Sequence, residues 1–193
     1  MINVENTPIL ESNRITLREI NVPVDAPEWY KLSKDPDIHR WTGNNAPVNV
    51  LETRENLKKY SEIEQIISWA IINNATGKII GTYWVWKPIE YPDGSVIIPA
   101  EAERIAKHCW RKGYMQEARM LIYDYCFNIL NVNEVHAQVW KDNVNSIMSL
   151  EHAGHVLYKE EEKMIEQFDS NHIECNYKIT RETWMNSKLM KNS

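Results

Sequence analysis

Three cysteines in 193 residues, Cys109, Cys126 and Cys175, cannot all pair within the chain. That excludes a complete disulfide framework and points to reduced thiols. Their spacing fits no zinc pattern, and Cys126 falls on the apolar side of a helical repeat, where a core thiol is expected. No run reaches the roughly eighteen apolar residues of a membrane span. The opening Met1-Ile-Asn-Val-Glu-Asn6 has neither a cationic nor an apolar region, so no signal peptide and a cytoplasmic location are expected. Basic charge is also in deficit: 22 Lys and Arg stand against 27 Asp and Glu, a net −5, which removes the basic face of a nucleic-acid binder. The two familiar nucleotide loops, GxxxxGK followed by Ser or Thr and GxGxxG, are missing. Phenylalanine occurs twice only, whereas there are eight Trp and nine Tyr, an aromatic set suited to half-wet pockets.

What is present centres on Glu101–Ala118. The spacing predicts a strand with Glu101, Glu103 and Ile105 on one face, then a basic loop from Trp110 to Gln116 with one glycine. A helix follows with Ala118, Leu121, Ile122, Tyr125, Ile129 and Leu130 on its apolar side. A strand, a short loop and a helix start form an anion seat. The amides of the first helical turn point outward, the helix dipole favours negative charge, and Arg111 and Lys112 add cations.

Around it the chain reads as one domain, with an ordered core over about residues 9–184 and a polar tail over 185–193 expected to fray. Arg14–Ile20 alternates as a first strand, and Asp25 with Pro27 signals a helix start ending near Asp35-Pro36. A second helix is expected over Val50–Glu64. Ile66–Ile72 and Lys78–Trp86 form a hairpin across Asn73–Gly77. Val96–Ala106 is a strand broken at Pro99, and Glu134–Trp140 another. Asn143 caps a short helix that Gly154 ends, and strands Val156–Gln167 and His172–Thr180 close the chain. Glu160-Glu161-Glu162 reads as a solvated face, and the scattered histidines suggest no metal site.

Two stretches then carry a resemblance. Trp110-Arg-Lys-Gly-Tyr-Met-Gln-Glu-Ala118 is similar to Trp-Gly-Lys-Gly-Tyr-Ala-Thr-Glu-Ala, and Asn143-Val-Asn-Ser-Ile-Met-Ser-Leu-Glu-His-Ala-Gly154 to Asn-x-x-Ser-Ile-x-x-Leu-Glu-Lys-x-Gly-Phe. The chain resembles the GNAT superfamily of acetyl-CoA-dependent N-acetyltransferases, in the branch of the ribosomal-protein N-terminal acetyltransferases RimJ and RimL. Arg14-Ile-Thr-Leu-Arg18, Trp69-Ala-Ile-Ile72 and Gly77-Lys-Ile-Ile-Gly81 extend the likeness over nearly the whole chain. It departs at Arg111, Met115, Leu150 and His155.

The resemblance implies an α/β (α+β) fold, a mixed, mostly antiparallel sheet of about seven strands with helices on both faces and a splayed central strand pair at Ile105 and Val139. It implies direct attack of an amine on the thioester, with acetyl-CoA as co-substrate and no metal. Trp110, Arg111, Lys112, Gly113, Tyr114, Met115 and Gln116 would hold the coenzyme phosphates, Ile105 its pantetheine arm, and Asn143 with Ser146 its other side. Glu166, Glu101 and Glu103 are the candidate bases, and Ser146 the donor to the departing thiolate. Trp41, Trp84 and Trp86 would line the acceptor cleft. The acceptor is a small amine or a protein N-terminus, without nucleic acid or membrane, and a homodimer is allowed. A non-catalytic acyl-CoA sensor on the same fold is the alternative.

Overall fold

The computed structural model describes residues 6–42, 44–165 and 170–191. In chain order they form β1 (Leu10–Glu11), β2 (Ile15–Arg18), α1 (Val22–Ser33), α2 (Val50–Glu62), β3 (Ile66–Asn73) and β4 (Lys78–Trp86). Next come β5 (Ile89–Glu90), β6 (Val96–Ile98), β7 (Glu101–Ile105), α3 (Tyr114–Asp124) and β8 (Glu134–Trp140). The chain ends with α4 (Val144–His152), β9 (Val156–Ile165), β10 (Ser170–Thr180) and α5 (Arg181–Lys191). Of the described residues, 6–87 and 102–122 make one compact unit and 88–101 with 123–191 make another.

The first unit holds a sheet in the order β1-β2-β3-β4-β7. Ile15 and Leu17 of β2 are fully buried, as their alternation requires, and the apolar run of β3 is buried from Ile66 to Ile72. Ala26 and Trp29 of α1 and Leu57 of α2 pack with Ile20, Ala70, Ile72 and Ile79 in one apolar cluster. Helix α1 begins earlier than Asp25 suggests, because Pro23 already fixes the first turn. Asp25 is instead buried inside the helix. It accepts from Asn21 N at 2.8 Å and pairs with Arg18 at 2.7 Å. Helix α2 is capped by the Asn49 side chain, which accepts from Glu52 N at 2.9 Å, and it stops at Glu62.

The second unit holds a sheet in the order β5-β6-β8-β10-β9, and β6 and β8 run parallel. Val135, Ala137 and Val139 of β8 turn inward; Ala137 and Val139 join Leu150, Cys175 and Tyr177 in a second cluster. The expected mixed, mostly antiparallel architecture is thus divided between two five-stranded sheets. Strand β7 terminates one sheet, and β8 pairs with β6 and β10 in the other. Pro99 separates β6 from β7, as a residue without an N–H must. Helix α5 continues through the polar stretch after Trp184 to Lys191. Thr180 and Thr183 cap it reciprocally at 3.0 and 3.1 Å, and Trp184 is buried.

Candidate functional site

In the first unit the basic loop and α3 form the candidate anion seat. Arg111 and Gly113 both take left-handed backbone, with φ of 58° and 79°. At Gly113 an added Cβ would sit 3.4 Å from the Arg14 guanidinium. The first helical bond of α3 runs from Glu117 N to Gly113 O at 3.0 Å, so the amides of Tyr114 and Met115 precede the intrahelical ladder. Arg111 and Lys112 are exposed beside them. The buried Cys109 thiol is pushed up by its burial, an effect Lys112 partly opposes.

A clamp from the start of the chain holds this loop. Arg14 Nη1 donates to Lys112 O at 2.9 Å, Arg14 Nε donates to Glu117 Oε2 at 2.6 Å, and the guanidinium lies 4.6 Å from the Tyr114 ring centre. Ser12 Oγ donates to the other Glu117 oxygen at 2.6 Å. Reading the sequence did not find Arg14, Ser12 or Glu117 as parts of the site. Their partners lie about a hundred residues away, beyond the reach of any local pattern.

Strand β7 passes beside this loop in the chain. Ala106 N donates to Ile80 O at 2.8 Å, so by strand alternation the N–H and C=O of Ile105 point to the opposite, outer edge. The Ile105 carbonyl there accepts from Trp110 Nε1 at 2.9 Å. The backbone amide expected of Trp110 at the seat is instead engaged, donating to Lys107 O at 3.1 Å, so what this residue offers there is its indole. Gly81 lets β4 and β7 approach closely: a Cβ at that position would lie 2.5 Å from Arg104 O. Glu103 is not an unattached strand carboxylate, because the buried Arg119 guanidinium pairs with it.

A cavity of about 50 Å³ opens among α1, α2, β4 and β7, lined by residues that include Trp29, Ser33, His39, Asn56, Tyr60 and Arg104. Trp41, Trp84 and Trp86 are not on its lining. Trp41 sits half-buried in a turn under Arg40, and Trp84 and Trp86 follow Thr82 along one face of β4.

In the second unit, Asn143 Oδ1 accepts from Ser146 N at 3.3 Å and caps α4, so its side chain is engaged. Ser146 is half-buried, one turn into that helix. Leu150 is buried, and Gly154, at φ 100°, ends the helix against Thr183 and Ser187. Glu101 is buried and accepts from Tyr123 Oη at 2.7 Å, with His155 Nε2 at 3.6 Å. Glu166 lies outside the described residues. Among the described residues no group of three or more His, Cys, Asp or Glu side chains is arranged to hold a metal ion. No helix there is long and apolar enough to cross a membrane.

The sequence matches the acetyltransferase (GNAT) domain family over residues 14–156. It is 26% identical over 144 residues to an uncharacterised N-acetyltransferase, p20, of Bacillus licheniformis, covering 73% of this chain and 78% of that protein. A GCN5-related N-acetyltransferase from Brucella melitensis superposes with a TM-score of 0.83 at 18% identity, over 95% of this chain and 83% of the other. Mycobacterium smegmatis RimJ, solved with CoA-disulfide, gives 0.75 at 17% identity over 91% and 88%. Spermidine N-acetyltransferase from Vibrio cholerae, solved with CoA and spermine, gives 0.71 at 18% over 90% and 99%.

Proposed function

The chain belongs to the acetyltransferase (GNAT) family, and from that premise we propose that it transfers the acetyl group of acetyl-CoA to a primary amine. Membership makes it an acyltransferase. The observation that carries the specific reading is the seat at the start of α3. Its left-handed Arg111 and Gly113, early helical amides and exposed cations offer what a diphosphate needs, and Arg14 holds that arrangement. The group fits on structural grounds, since a bare Cα at Gly113 keeps the backbone open to an anion.

Bound acetyl-CoA supplies an activated thioester carbon for direct attack by the amine. The amides from Arg111 to Gln116, with the Arg111 and Lys112 side chains, would hold the phosphates, and the outward Ile105 N–H is left for the pantetheine arm. Glu166 takes the proton of the acceptor ammonium, and the Ser146 hydroxyl donates to the departing sulfur. What favours Glu166 as base is that Tyr123 engages Glu101 and Arg119 engages Glu103. The match across both compact units supports reading the chain as one acetyltransferase domain. Relatives in fold are named for different acceptors, spermidine in one and ribosomal proteins in others. A small amine and a protein N-terminus are therefore both retained.

The sensor alternative rested on departures at Arg111, Met115 and Leu150. Arg111 takes the left-handed conformation a glycine would take there, so this departure leaves the loop backbone open to an anion and gives the sensor little support. The test is release of free CoA from acetyl-CoA with an amine panel, in wild type and Glu166→Gln. Turnover in wild type, falling about a hundredfold in the variant with acetyl-CoA affinity unchanged, is expected from loss of a general base. Acetyl-CoA binding without turnover on any amine would favour the sensor.

A further inference from the structure

Resting on that reading, the geometry points to a second property of the acceptor: the cavity between α1, α2 and β7 binds a carboxylate carried by the amine substrate. Its lining contains Arg104 and no Asp or Glu. Three of its polar atoms are buried without a hydrogen-bond partner: Arg104 Nε, Ser33 Oγ and His39 Nδ1. Buried polar atoms are ordinarily satisfied, so three orphans converging on one cavity mark a place where a ligand or water completes them.

The polarity of each orphan follows from its surroundings. Arg104 Nε–H only donates, and Tyr60 lies under that guanidinium, 5.8 Å from ring centre to carbon. Ser33 offers a hydroxyl hydrogen. His39 Nε2 is 2.6 Å from Ser33 O, and a carbonyl only accepts, so the ring proton sits on Nε2 and Nδ1 keeps a lone pair. Burial holds this imidazole below its ordinary value, with Arg104 adding to the effect and the Ser33 carbonyl and Asp35 opposing it, so it is neutral near pH 7. The cavity therefore presents two donors, one of them a fixed cation, and one acceptor. A carboxylate accepts from Arg104 and Ser33, and an N–H of the same ligand faces His39.

Size and location agree with this choice. About 50 Å³ suits a carboxylate or a few waters and excludes a whole sugar ring. Arg104 immediately precedes Ile105, the strand residue assigned to the coenzyme arm, so the cavity lies one residue from the proposed path of the thioester. The nearby carboxylates Asp35 and Asp37 pair with Lys107, at 3.6 and 2.5 Å, and leave the charge of Arg104 uncompensated. The net −5 of the chain therefore does not describe the cavity.

The test measures acetyl transfer by wild type, Arg104→Gln and Asn56→Asp to four amines: a dipeptide with a free carboxylate, the same dipeptide as its C-terminal amide, phosphoethanolamine and spermidine. Wild type should prefer the free dipeptide over its amide by about tenfold or more in kcat/KM, the scale of one charge-assisted hydrogen bond. Arg104→Gln should erase that preference and leave the amide rate within about twofold, since it removes no group used by both. Asn56 is exposed, so Asn56→Asp should fold normally, place a carboxylate on the lining and raise the relative rate on spermidine.

Equal wild-type rates on dipeptide and amide would overturn the inference while leaving amine acetylation intact, and so would a preference for phosphoethanolamine or spermidine. Should no amine be acetylated, the transferase reading fails separately. The cavity is then tested by quenching of tryptophan fluorescence, to which Trp29 on the lining contributes, with the N-acetylated dipeptide, a signal Arg104→Gln should abolish. Equal quenching in both proteins would overturn it.

Discussion

At the scale of single residues, the effect of Arg14 separates binding from stability. Its ion pair with Glu117 is partly exposed, so Arg14→Met should change folding stability by less than about 1 kcal/mol. It should nevertheless weaken acetyl-CoA binding, because the Lys112 carbonyl and the Tyr114 ring lose their anchor. Calorimetric titration beside a urea melt distinguishes these effects; a large stability loss with unchanged affinity would make Arg14 merely structural. His39 gives a pH signature. Its folded value is held down, chiefly by burial, while the unfolded chain takes up the proton near pH 6.5. Protonation thus favours the unfolded state between those two values, so stability should fall as pH drops through about 6.5 and level off below the folded value. His39→Gln should show a smaller fall between pH 7 and 5.5 in urea denaturation; an identical fall would assign the effect to other groups. His39, Ser33 and Arg104 were invisible as a group in the sequence, because a helix end, a loop and a distant strand bring them together.

At the scale of elements, the approach of β4 to β7 depends on the missing side chain at Gly81. Gly81→Ala forces a methyl against Arg104 O, and such overpacking costs about 1–3 kcal/mol. It should also reduce coenzyme affinity, by shifting Ile105 and Trp110 with the strand. Chemical denaturation and titration check both; unchanged affinity would detach β7 from the coenzyme site. Most elements were legible beforehand. Gly77 and the apolar runs around it fixed the β3–β4 hairpin, and the 3.6-residue spacing through Ala118 and Ile122 gave α3. One signal misleads: Asp25 looks like a helix cap but follows Pro23, which already sets the turn. The burial of Glu101 was not legible, because its cover, Tyr123 and His155, comes from later in the chain.

For the whole molecule, an acidic chain that binds a polyanion must concentrate its cations locally. Arg111 and Lys112 at the seat meet that need, so affinity for acetyl-CoA should weaken as ionic strength rises from 0.05 to 0.5 M, roughly over the range where the Debye length shrinks below 10 Å. Family membership was legible from two motifs, Trp110–Ala118 and Asn143–Gly154, both inside the matched residues 14–156. The acceptor was not legible, because it is selected by tertiary neighbours rather than by any local motif. Ligand linkage supplies a global readout. Acetyl-CoA at about a hundred times its Kd should add about 2.7 kcal/mol, or roughly 5–10 °C in Tm for a chain of this size.

The most direct measurement is isothermal titration of acetyl-CoA into wild type and Gly113→Ala, with circular dichroism confirming that both are folded. Alanine at φ 79° strains the loop and brings a methyl into contact with the Arg14 guanidinium that holds the seat. One-to-one binding by wild type, weakened about tenfold or more in the variant, is the predicted result. Wild type that takes up no acetyl-CoA, or a folded variant that binds it equally well, would contradict the assignment of the seat.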